Sequence, residues 1–191
     1  MDQAGGAGGE DGAAPLSVLF VCTANICRSA FAEVLARHLA GTDRSLSFAS
    51  AGTYGLPAHP MSPEIAAFLP DGVTPGDFAS RRVTAGIVAG AELILTAEAE
   101  HRRFILEEYP TAFRKVLTVG QFAEAAARSE VSGRALLGEV ARLRPPARTE
   151  HDVFDPYGRG RAANEAAAAQ ITRLLEIVIP ALLEQSMAAE R

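Results

Sequence analysis

The chain has 191 residues, a formal net charge of −5 and 48% hydrophobic side chains, enough apolar content for one well-buried domain. No Lys/Arg-rich run occurs, and Lys115 is the only lysine among 18 basic side chains, which speaks against a nucleic-acid surface. No apolar run approaches the roughly 18 to 20 residues that span a bilayer, no basic stretch leads into an apolar one at the N-terminus, and two cysteines in one loop cannot build a secreted disulfide framework, so a cytoplasmic protein without membrane insertion is expected.

Residues 1–14 are Gly, Ala and acidic residues without apolar periodicity and read as a disordered tail, with one domain over 15–191. Ser17 to Val21 is a short β-branched and aromatic run bounded by Pro15, a buried strand. A helix then runs to about Ala40, with Ser29 as its expected N-cap, Phe31, Val34, Leu35 and Leu39 on one face, and Gly41 as its stop. Leu46 to Ser50 is a second strand, Tyr54 to Pro60 a loop, and Ser62-Pro63-Glu64 starts a short helix with proline at its first position. A loop over 70–77 leads to a helical turn or two from Thr84 to Gly90 and a third strand from Glu92 to Thr96. Glu98 to Tyr109 is a helix with Phe104, Ile105 and Leu106 inward, and Lys115 to Val119 is the fourth strand. Gln121 to Leu143 is helical in two pieces broken near Ser129 to Gly133, with Leu136, Leu137, Val140 and Leu143 on one face of the second. A polar loop delivers Asp155-Pro156-Tyr157-Gly158. The last helix, from about Ala162, buries Ile171, Leu174, Leu175, Val178 and Leu182, with Pro180 expected to kink or interrupt it. Strands alternating with helices of this length specify an α/β fold, a parallel sheet covered on both faces, with ligands at the C-terminal strand ends.

The first such end carries the chemistry. Cys22 and Arg28 stand five residues apart in a loop between a buried strand and a helix N-terminus. A thiol, a guanidinium and a helix end together suit a doubly charged oxyanion, and the same positive field favours a nucleophilic thiolate.

Cys22-Thr23-Ala24-Asn25-Ile26-Cys27-Arg28-Ser29 after a strand, with Ser50-Ala51-Gly52-Thr53 and the late Asp155-Pro156-Tyr157-Gly158, resembles the low-molecular-weight protein-tyrosine phosphatases from about Leu16 to the last helix. The resemblance implies three layers, αβα, around a four-stranded parallel sheet of order 2-1-3-4. It implies Cys22 as nucleophile, Arg28 as a bidentate clamp on the phosphoryl oxygens, and Asp155 as general acid and base, with Asp152 the weaker candidate. The phosphate loop would comprise Thr23, Ala24, Asn25, Ile26 and Cys27, with Ser29 donating to the Cys22 thiolate. Asn25 would hold the strained loop through hydrogen bonds that include Ser50, since Asn tolerates positive φ better than most residues. No metal or other cofactor is implied. Cys27 would either pack or form a reversible disulfide with Cys22. Tyr54, Leu56 and Tyr157 would wall a substrate pocket. The four histidines lack metal-ligand or catalytic spacing and read as surface or supporting residues.

Three positions depart from the family pattern: Ala30 for a common proline, Phe78 near a common histidine, and Glu98 where Asp is common. The stretch of about 123–150 is longer than usual and reads as a helical insertion. The expected substrate is a phosphotyrosine-containing protein, a bacterial tyrosine kinase among the candidates, met by a monomer or weak dimer. Arsenate reductase on the same scaffold is disfavoured because no cysteine lies outside Cys22 and Cys27. Protein-arginine phosphatase is disfavoured because Ile26 stands where a threonine is expected. A phosphotyrosine-binding module without catalysis is the rival from another class.

Overall fold

The computed structural model describes residues 14–143 and 145–183, so most of the expected tail lies outside the described residues. Four parallel strands, β1 (Leu16–Cys22), β2 (Leu46–Gly52), β3 (Leu93–Thr96) and β4 (Val116–Thr118), form a sheet of order β2-β1-β3-β4, as expected. In register, Cys22 pairs with Gly52 on one side and Val21 with Thr96 on the other, so the ends of β2 and β3 flank the end of β1.

The strands sort their side chains by alternation. Val18, Phe20 and Cys22 of β1 join Leu93, Leu95 and Leu117 on one face. Against them pack α1 (Arg28–Ala40), α5 (Val119–Ala126), α6 (Gly133–Leu143) and α7 (Gly160–Leu182). Leu19, Val21, Ile94 and Val116 point the other way, where Val88 of α3 (Ala85–Gly90) and Ile105 of α4 (Ala99–Glu108) cover them. Between β2 and α3, a short α2 (Pro63–Ala66) begins with the expected proline.

Several local expectations are corrected. Ser29 does not cap α1: the helix starts at Arg28, Cys27 is the cap residue, and the Ser29 side chain turns inward to the loop. Leu39 and Leu143 are exposed, because each sits at the solvent edge of its helix's apolar stripe. Val119 opens α5 instead of extending β4, since Thr118 accepts from the Gln121 amide at 3.1 Å and Gln121 Oε1 accepts from the Thr118 amide at 2.8 Å, a reciprocal cap. Helix α7 continues through Pro180 to Leu182, so the proline, two residues from the end, does not interrupt it.

The segment after α6 is fastened along the C-terminal ends of β3 and β4. His151 Nε2 lies 2.7 Å from Glu124 Oε2, the Val153 amide donates to Ala97 O at 2.7 Å, and Asp152 Oδ1 accepts from the Ala99 amide at 2.8 Å. These contacts set Asp155 beside the loop that follows β1.

Candidate active site

The loop from Cys22 to Arg28 is held from outside by its own carbonyl groups. Cys22, Thr23, Ala24 and Ile26 accept from the amides of Thr53, Tyr54, Leu56 and Ser62 at 2.8–3.3 Å. Among the described residues, no protein acceptor takes the amides of Thr23 to Cys27. With its carbonyls turned outward, the loop offers its N–H groups and the first turn of α1 to one place, which suits an anion. Gly52 permits this closeness: a Cβ there would stand on the Thr23 carbonyl oxygen and 2.7 Å from Gly55 Cα.

Asn25 sits at φ +59°, in the left-handed region, and is fully buried. Its Nδ2 donates to Ser29 Oγ at 2.9 Å and to Ser50 Oγ at 2.7 Å, and its Oδ1 accepts from the Arg81 amide at 2.9 Å. Ser50 in turn donates to the buried Glu33 carboxylate, which also pairs with Arg37. Ser29 Oγ lies 3.0 Å from Cys22 Sγ. Ser29 Oγ accepts from Asn25, and its one proton can go to Cys22 Sγ or, at 3.5 Å, to Ala51 O.

Arg28 is 3% exposed although it carries a charge, and it is held by three partners from two segments, the β3–α4 junction and the loop before α7. Its Nη1 donates to Glu98 Oε1 and, at 2.9 Å, to Val153 O, while Nη2 lies 3.3 Å from Asp155 Oδ1. Glu98 thus has a definite position in the site, which its place in the sequence as an Asp substitute did not reveal. Its signal was topological: β3 neighbours β1, so the first residues beyond β3 face the Cys22 loop. His101, one helical turn on, is buried, and its Nε2 lies 2.8 Å from Thr23 Oγ1. Burial, then the Arg28 charge, push the His101 pKa down to about 4, so its ring is neutral near neutral pH. Glu33 and Arg81 were likewise missed, although a Glu five residues beyond Arg28 on the buried face of α1 is an unusual placement.

Cys27 is 5% exposed and lies in the apolar core cluster. Burial and the neighbouring Cys22 push its thiol up to about 11, against a hydrogen bond with Ser62 that acts the other way. Both cysteines are free thiols. Asp152 caps α4 through the Ala99 amide, while Asp155 has a half-exposed carboxylate at the pocket.

Cys22, Arg28 and Asp155 meet in one pocket of about 260 Å³. Thr23, Ala24, Ile26 and Cys27 line its depth, and Tyr54, Leu56 and Tyr157 its outer wall. Tyr54 and Tyr157 are 63% and 65% exposed, and the Tyr54 ring rests against Phe104 at 5.5 Å between centroids. Ser50 lies behind the loop, not in the pocket, where it braces Asn25.

A profile described as low molecular weight phosphotyrosine protein phosphatase matches residues 17–132. The low molecular weight protein-tyrosine-phosphatase Etp of Escherichia coli (strain K12) is 31% identical over 160 residues, covering 82% of this chain and 95% of Etp. Among solved structures, the low molecular weight protein tyrosine phosphatase of T. tengcongensis superposes with a TM-score of 0.69 at 24% identity, over 86% of this chain and 98% of that one. The YwlE arginine phosphatase of Geobacillus stearothermophilus superposes with a TM-score of 0.68 at 23% identity, over 87% and 92%. The chain belongs to the low molecular weight phosphotyrosine protein phosphatase family of cysteine-dependent hydrolases.

Proposed function

We propose that this chain hydrolyses phosphotyrosine in proteins, with Cys22 as nucleophile, Arg28 as phosphoryl clamp and Asp155 as general acid and base. The observation that carries this reading is the convergence of those three side chains on one pocket whose outer wall is aromatic and aliphatic. A phosphoryl group seated over the loop amides has Cys22 Sγ beneath it, and a phenyl ring extends outward between Tyr54, Leu56 and Tyr157.

In the first step, Cys22 thiolate attacks phosphorus and forms the S–P bond. The bond from phosphorus to the phenolic oxygen breaks, and Asp155 supplies the proton that oxygen needs. In the second, Asp155 takes a proton from water, the oxygen attacks phosphorus, and the S–P bond breaks to release phosphate and thiolate. Ser29 donates to sulfur whenever it is anionic, and Arg28 with the loop amides carries the charge on the phosphoryl oxygens.

Ile26 favours a phenyl ring over the guanidinium of phosphoarginine, because an apolar side chain in the pocket gives guanidinium N–H groups no acceptor. The site is assembled from one chain, so a monomer or weak dimer suffices. The partner in this reading is a phosphotyrosine protein, a bacterial tyrosine kinase among the candidates, in a reducing cytoplasm that keeps Cys22 available. The test is phosphate release from matched phosphotyrosine, phosphoserine and phosphoarginine peptides. Turnover of phosphotyrosine alone, abolished in Cys22→Ser while peptide binding persists, supports the proposal. In Asp155→Ala the loss should grow with the basicity of the leaving group. Equal loss across leaving groups would refute the acid role.

A further inference from the structure

Among the described residues, three arginine–aromatic pairs lie on segments that adjoin the pocket-lining residues. The Arg82 guanidinium carbon lies 5.9 Å from the centroid of Tyr54, Arg159 lies 4.9 Å from that of Phe154, and Arg161 lies 5.1 Å from that of Phe68. Tyr54 belongs to the pocket wall. Phe154 immediately precedes Asp155, and the Arg159 amide donates to Pro156 O at 3.1 Å, which folds that arginine back onto the same loop. Arg161, in the first turn of α7, lies over Phe68, two residues beyond α2, and the Ser62 amide that precedes α2 donates to Ile26 O of the phosphate loop at 2.8 Å.

All three arginines are exposed, and among the described residues none of them pairs with a carboxylate. Elsewhere on the surface Arg103, Arg128, Arg134 and Arg148 each pair with a glutamate, while Arg44, Arg114, Arg142 and Arg173 are exposed without a carboxylate partner among the described residues, away from the pocket-lining segments. The two carboxylates nearest the pocket floor, Glu98 and Asp155, are already engaged by Arg28. In a chain with a net charge of −5, these three arginines bring positive charge without a carboxylate partner to the segments that border the pocket. Stacking on a ring holds each guanidinium in place and leaves its N–H edges available, so little side-chain freedom is lost when a carboxylate arrives.

We propose that Arg82, Arg159 and Arg161 form a specificity rim that selects phosphotyrosine segments flanked by acidic residues. This rests on the phosphotyrosine reading of the pocket: the rim reads carboxylates on either side of the residue whose phosphoryl group occupies the loop. Exposed charge pairs of this kind change affinity about two- to five-fold each. Three acting together should give a preference of about ten-fold or more at low ionic strength, falling as salt shortens the range of the field.

The experiment compares kcat/KM of the full chain on phosphotyrosine peptides of equal length with Glu, Gln or Lys flanks, at low and high salt, beside p-nitrophenyl phosphate, which has no flanks. Affinity for the same peptides is measured on Cys22→Ser. The expected order is Glu over Gln over Lys, expressed mainly in KM, compressed by salt, with the Glu-to-Gln ratio moving towards one in the triple variant Arg82→Gln/Arg159→Gln/Arg161→Gln. Because that ratio is taken within one protein, partial misfolding of the variant cancels from it. Equal kcat/KM and equal binding across flanks, with p-nitrophenyl phosphate hydrolysed, would overturn the rim and leave the phosphatase intact. Failure to hydrolyse any phosphoester would refute the phosphatase reading, while the charge preference would still be read from binding to Cys22→Ser.

Discussion

His101 offers a quantitative test of the electrostatics behind the phosphate loop. Its ring is buried against Thr23, with burial first and the Arg28 charge second lowering its pKa to about 4 from the usual 6.5. The unfolded chain therefore binds a proton on this side chain between pH 6.5 and 4 while the folded chain does not, so stability rises with pH through that window. Acidification reverses this. The loss begins below pH 6.5, reaches about 2 kcal/mol at pH 5 and levels off at about 3 kcal/mol once the pH is below 4. His101→Gln keeps a neutral hydrogen-bonding group near Thr23 and cannot titrate. Urea unfolding midpoints for both proteins between pH 4 and 8 isolate the His101 contribution, because every other titrating group is common to the pair. Wild type should lose stability relative to the variant on descending from pH 6.5, with the difference flattening near pH 4. Parallel profiles would refute the claim that His101 is held neutral.

The loop scaffold makes two further predictions. Asn25→Gly removes three hydrogen bonds but tolerates φ +59°, so it should lower kcat/KM about 150-fold, at about 1 kcal/mol for each lost contact. Asn25→Ala should be worse by about 1–2 kcal/mol, because alanine resists the left-handed region; a glycine variant near wild type would show that the side chain does not hold the loop. Gly52→Ala drives a Cβ into the Thr23 carbonyl and Gly55, both backbone, and should destabilise the protein by about 1–3 kcal/mol in thermal unfolding with loss of phosphate affinity. Gly90→Ala, which meets nothing within 4 Å, is the matched control and should be near neutral.

The parts of this molecule legible in its sequence are those governed by local periodicity and by short contiguous motifs. The four strands and the helices between them follow from apolar runs and their spacing, because each element buries a face defined by neighbours two, three or four residues away, whereas the strand order came through the family resemblance that the Cys22–Ser29 motif carries. Asn25 and Ser50 were legible through the motifs that carry them, and the structure places them in direct contact. The residues that escaped are those whose role depends on which strand lies next to which. Glu98 meets Arg28 across 70 positions, and Thr23 meets His101 across 78, contacts that exist only because β3 lies beside β1. The misassigned Ser29 cap has the same origin. A serine at the start of a helix serves its own backbone amides unless something stronger is in reach, and here Cys22 Sγ and Asn25 Nδ2 both are. An apparent cap in a loop that also holds a cysteine and an arginine is therefore better assigned to the chemistry than to the helix, since helix α1 forms here without a side-chain cap.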